Sequence, residues 1–159
     1  MKCPFFLLFL LTISTLTMAN DERWKTGSFE YEGFPLFLRS PYKLNYDELQ
    51  ILYPQFISLT HILKDVNNNG LPNKEYNQSL FEFDTFVSEV LENKRNGVTV
   101  LIETFGGKRN YYMYSTEEID TVKLKELILN NFPDQEILIE SRLDLKWGFI
   151  RAYASDWGL

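Results

Sequence analysis

The chain has 159 residues, is 45% hydrophobic and 16% aromatic, and sets 16 Lys and Arg against 22 Asp and Glu for a formal charge of −6. That is enough apolar material for one well-filled domain and too short a chain for two. Positive charge is no denser than short pairs such as Lys108-Arg109, which disfavours a nucleic-acid or anionic-membrane surface, because phosphate binding needs concentrated basic residues.

The opening MKCPFFLLFLLTISTLTMAN places Lys2 before an apolar run from Phe5 to Leu11 that weakens toward Leu16 and ends in Thr17-Met18-Ala19. A charged start, an apolar stretch short for a bilayer and small residues before a cut after Ala19 predict a secretory signal peptide over residues 1–19. An uncleaved N-terminal anchor is the competing reading. Cys3 would leave with the peptide, so the domain over residues 20–159 has no cysteine and rests on packing. The expected location is exported, periplasmic or secreted, with no membrane insertion after cleavage.

Trp24 to Arg39 predicts a hairpin turning at Glu32-Gly33-Phe34, with Pro35 marking an edge position. A short helical turn around Tyr46 to Leu52 is ended by Pro54. From Gln55 to Lys64 apolar and polar residues alternate, as in a strand buried largely on one side, its second face carrying Ile57, Leu59, His61 and Leu63. Asn73 then caps a helix expected over Lys74 to Arg95, with Tyr76, Leu80, Phe83, Val87, Val90 and Leu91 on one stripe. Val98 to Phe105 and Lys108 to Ser115 form a hairpin across Gly106-Gly107, both tolerant of positive φ.

The row STEE, Ser115 to Glu118, has the form of a capping box opening a helix with Ile119, Val122, Leu127 and Ile128 inward, closed by Phe132-Pro133. Two further strands are expected, around Glu136 to Arg142 and Lys146 to Tyr153. From Gln55 onward the order is strand, helix, strand, strand, helix, strand. The predicted class is α+β, a ferredoxin-like βαββαβ sandwich with an additional N-terminal β-hairpin and a C-terminal strand.

Few residues carry a chemical signature. Asp65, Asn67, Asn69 and Gly70 fill positions 1, 3, 5 and 6 of a calcium loop, but Tyr76 stands where the bidentate Glu belongs, so an Asn-rich turn is the better reading. His61 is the one histidine; with no second histidine and no cysteine in the domain it has no partner set for a metal, and a structural role is expected. No catalytic triad, phosphate loop or metal set is legible, and no cofactor is expected. The remaining signal is aromatic: Tyr112 and Tyr114 share a strand face, and Trp147, Phe149 and Tyr153 share one on the expected last strand. These residues fill a two-sided core, one face under the helices and one under the N-terminal hairpin, or they form a binding face with Arg109 and Arg151 on its rim.

The pattern resembles a domain family of unknown function, DUF695. The likeness is carried by Trp24, Glu32-Gly33 and Pro35, by Tyr53-Pro54 and Gly70-Leu71-Pro72, and above all by FGGKRNYYMYST and Asp144-x-x-Trp147. Asn110 stands where an acidic residue is expected after the arginine. The tail and the α/β order are similar to the regulator of ribonuclease activity B, a protein inhibitor with a ferredoxin-like fold, which implies protein binding as a mode of action. The resemblance implies no catalytic residues.

Two functions therefore compete. The first is a non-enzymatic, exported protein-interaction or regulatory module that binds an unknown protein partner through a sheet edge or aromatic face. The second is an envelope small-molecule binder or hydrolase with a pocket near Arg109, Tyr114 and Trp147, lined also by Tyr112.

Overall fold

A computed structural model describes residues 23–158 of the chain; the expected signal peptide, residues 1–19, lies outside them. Six strands form one open antiparallel sheet within that span: β1 (Trp24–Tyr31), β2 (Phe34–Pro41), β3 (Gln55–Ile62), β4 (Gly97–Phe105), β5 (Lys108–Ser115) and β6 (Glu136–Leu143), in the spatial order β1-β2-β4-β5-β3-β6. Five helices accompany them: α1 (Tyr46–Leu52), α2 (Lys74–Ser79), α3 (Phe81–Glu89), α4 (Thr121–Asn131) and α5 (Gly148–Trp157). The fold is mixed α+β. β3 and β4 flank β5 and are joined through α2 and α3, while β5 and β6 flank β3 and are joined through α4.

Both hairpins form where expected. Glu32 and Gly33 (φ 52° and 80°) close the first, and Gly106 and Gly107 (φ 57° and 79°) close the second. Paired positive φ values give a turn whose twist matches the strands it joins. The first hairpin extends the sheet, with β1 as its edge. Pro35 is on β2, the second strand in, but only Phe37 to Arg39 pair with β4, so the missing N–H costs that ladder nothing.

The loop from Asp65 is a clasp on the second hairpin. Gly70 carbonyl accepts from Gly107 N–H at 2.8 Å, and Gly107 carbonyl accepts from Leu63 N–H at 2.9 Å. A Cβ on Gly70 would sit 3.0 Å from Gly106 Cα, so the approach requires glycine. The side chains of Asn69 and Asn73 are occupied by the backbone, accepting from Leu71 N–H (3.1 Å) and Tyr76 N–H (2.8 Å).

Four expectations are corrected. The helix expected over Lys74 to Arg95 is two helices and a 3-10 turn (Glu92–Lys94). Ser79 Oγ donates to Tyr76 carbonyl at 2.8 Å, loosening the last turn of α2, and buried Leu80 takes ψ −1°. Helix α4 starts from Asp120, whose Oδ1 accepts from Val122 N–H (2.9 Å) and Lys123 N–H (3.2 Å). Ser115 cannot cap it, because it closes the ladders to Gln55 and Gly97. Val122 consequently faces out, and Leu124 with Ile128 faces in.

The expected C-terminal strand over Lys146 to Tyr153 is instead α5. Trp147 adopts φ 54°, and Asp144 accepts the first free amides, Gly148 N–H at 2.8 Å and Phe149 N–H at 3.0 Å. Trp147, Ile150, Ala154 and Trp157 then recur at helical spacing. Finally, the second face of the sheet is covered by α1 and α5, and not by the N-terminal hairpin.

The core therefore has two layers of side chains. Ile57, Leu59, Phe83, Val87, Met113 and Ile128 pack between the sheet and α3–α4. Leu38, Phe56, Leu101, Tyr114, Trp147 and Ile150 pack between the sheet and α1–α5. Full burial of such side chains contributes about 1.5–3 kcal/mol each, which is what replaces disulfides here. A β-bulge between Thr99 and Leu101 sends both Val100 and Leu101 to the α5 side. The phase of β4 shifts with it, so Ile102 and Thr104 face α3 while Glu103 faces α5.

Candidate functional site

A cleft of about 630 Å³ opens between the β2–β4–β5 part of the sheet and helices α2 and α3. The tight turn at Gly106-Gly107 sets Arg109 opposite Thr104, and the β2 ladder sets Phe37 opposite Thr104. Arg109 is 7% exposed, and its guanidinium reaches three partners. Nε donates to Thr104 Oγ1 at 3.1 Å, Nη1 to Asp84 Oδ1 at 3.1 Å, and Nη2 to Asn77 Oδ1 at 2.6 Å. Asp84 also accepts from Tyr111 Oη at 2.5 Å and from Arg39 Nη2 at 2.5 Å. Phe37 and Phe81 stand partly in solvent at its mouth.

The electrostatics follow from this packing. Burial works to raise the Asp84 carboxyl, but the charges of Arg109 and Arg39 and the Tyr111 hydrogen bond outweigh it and hold the group below its ordinary range. Burial, reinforced by the Asp84 charge, pushes the Tyr111 hydroxyl well above its ordinary value, so it remains a donor. An ionised acid with every donor aimed at it is a poor general base. The arrangement is suited to holding charge in place.

On the opposite face stacked aromatics fill the centre, while a cleft of about 740 Å³ opens at its rim beside α1 and Arg151. Tyr114 stacks on Trp147 with ring centres 4.1 Å apart, Tyr114 Oη donates to Asp144 Oδ2 at 2.7 Å, and Trp147 Nε1 donates to Tyr53 carbonyl at 2.7 Å. Burial raises the Tyr114 hydroxyl; at Asp144 burial opposes ionisation, but bonds from Phe149, Tyr114 and Gly148 outweigh it and keep the carboxyl low. Glu103 accepts from Asn110 Nδ2 at 2.6 Å, from Tyr112 Oη at 3.2 Å, and from the Tyr153 hydroxyl. Arg151 lies across α1, bonded to Asp47 Oδ1 at 2.6 Å and placed over the Tyr46 ring.

The five residues singled out in the sequence therefore do not share a pocket. Arg109 and Tyr112 are an odd number of residues apart on one strand, so they leave opposite faces of the sheet. Tyr112, Tyr114, Trp147 and Arg151 belong to the α5 side, where Tyr114 and Trp147 are fully buried. The residues that do meet Arg109 are Asn77, Asp84 and Thr104, and Asp84 links it to Arg39. Asp84 carried a legible signal: it interrupts the apolar stripe of Leu80, Phe83, Val87 and Leu91, where a charge needs a partner.

His61 is fully buried on the α3 side, with Nε2 2.8 Å from Gln135 Oε1 and its ring 4.5 Å from that of Phe83. Burial lowers its pKa to about 4, so the imidazole is neutral. Among the described residues no three His, Cys, Asp or Glu side chains gather as a metal set, and no helix is long and apolar enough to cross a membrane.

A family model, described as a family of unknown function (DUF695), matches residues 22–153. No curated protein and no solved structure matches the chain.

Proposed function

The chain belongs to the DUF695 family, and we propose that it acts by non-covalent recognition, holding a ligand in the cleft beside Arg109. One observation carries this reading: a buried arginine, braced on three sides, lines an open cleft and not a sealed core. Bracing of that kind fixes a charged group before a ligand arrives, which lowers the cost of ordering on binding. The test is a fragment screen read by amide chemical shifts. Hits that move Phe81, Thr104 and Arg109 support the reading; an absence of hits, or hits confined to the α5 side, would sink it.

Protein interaction is the second reading, favoured by β6. Among the described residues this strand pairs only with β3, and it leaves Leu138 and Leu143 more than half exposed. An added strand needs only such an edge. The interleaving of β3, β4, β5 and β6 supports taking them as a ferredoxin-like core, the fold implied by the likeness to the regulator of ribonuclease activity B. If the edge is used, a partner captured by the parent protein is lost with Leu138→Glu/Leu143→Glu; equal capture by both removes the reading. Export is proposed from Lys2, the Phe5–Leu11 run and Ala19, and N-terminal sequencing of the secreted or periplasmic chain should begin at Asn20.

A further inference from the structure

The charges lining the cleft do not cancel. Arg39 and Arg109 are its cations and Asp84 is the one acid among the described lining residues. An arginine stays charged at any working pH, so one positive charge is uncompensated. Asp84 is already committed within the protein, since Arg109, Tyr111 and Arg39 all bond to it.

The two arginines also differ. Arg109 spends Nε, Nη1 and Nη2 on the protein, whereas Arg39 has a side chain 33% exposed and engages one nitrogen, Nη2, among the described residues. The remaining donors of Arg39 form a planar fork that matches a carboxylate in two parallel bonds. Beside it the wall is apolar: Phe37, Phe81 and Ile102. A cation is repelled by the surplus charge. A phosphate dianion overshoots it, and its polar surface has no use for the apolar wall.

We infer that the cleft takes a small organic carboxylate with a flat apolar body, its anionic group on Arg39 and its body against Phe37 and Phe81. The inference rests on the cleft being a binding site at all, and the experiment separates the two. Benzoate, phenylacetate and indole-3-acetate are each titrated against the protein beside their neutral amides, with inorganic phosphate as a further probe. The same titrations are made on Arg39→Gln, which removes a part-exposed charge, after its amide spectrum confirms the fold.

At least one carboxylate should bind roughly ten- to hundredfold more tightly than its amide, the worth of a charge-assisted hydrogen bond. Arg39→Gln should erase that preference, so that the acid binds no more tightly than its amide; a preference that survives the substitution would overturn the inference. Amides binding as tightly as the acids would overturn the carboxylate inference while the cleft stands as a binding site. Phosphate binding more tightly than every carboxylate would overturn it in favour of a phosphate site, and no binding by any probe would remove both.

Discussion

On the α5 side of the sheet the polar tips of four large aromatics end on partners within the fold: Tyr114 on Asp144, Trp147 on Tyr53, Tyr112 and Tyr153 on Glu103. On the α3 side two guanidinium groups share one carboxylate beside an open cleft. Residues adjacent in the same strands feed both sides, so composition alone does not separate them. The lesson is that a dense aromatic signal can mark tight packing, while a single acid within an apolar helix stripe marks a buried charge pair beside a cleft.

Breaking the aromatic side should have the largest effect. Trp147→Ala removes a fully buried indole and its stack on Tyr114, and a loss of roughly 3–5 kcal/mol is expected in urea unfolding. A change below about 1 kcal/mol would mean that this side is not the packed half. On the cleft side, Asp84→Asn leaves Arg39 and Arg109 without their common counter-charge and should cost about 3 kcal/mol in the same measurement, since breaking a buried pair strands the other charge.

Acid sharpens the contrast further. His61 is neutral in the fold with a pKa of about 4, so between its ordinary value and about 4 the unfolded chain binds the proton first. Stability therefore falls as pH falls through that window, by up to about 3 kcal/mol at 1.36 kcal/mol per unit. His61→Leu should flatten the slope measured by urea midpoints across the window; an unchanged slope would assign it elsewhere. Asp84 has the opposite charge type: its lowered folded pKa contributes stability that is present above the unfolded value and lost as pH drops through the folded one. The smallest effect is at α4, where Asp120→Ala removes the N-cap and should lower the urea midpoint only slightly. Ser115→Ala, which removes no cap, should leave the helix start intact by amide exchange.

Much of the local structure was legible. The Gly106-Gly107 and Glu32-Gly33 turns, the short α1, the alternation of β3 and the Asn73 cap all follow from rules that act within a few residues, and all are present. The errors came where a local rule met a partner far along the chain. Ser115 reads as a cap until its pairing with Gln55 and Gly97 is known, and Trp147 to Tyr153 reads as alternation until Asp144 supplies the cap for α5.

Sequence by itself determined the α+β class, the family and the two hairpins. Only the tertiary structure decided that Arg109 shares Asp84 with Arg39 and lies on the opposite face from Tyr114 and Trp147. The physical reason is that strand alternation selects the face of a residue, but a bulge in β4 and the docking of α3 select its neighbours, and both depend on contacts between different elements of the chain.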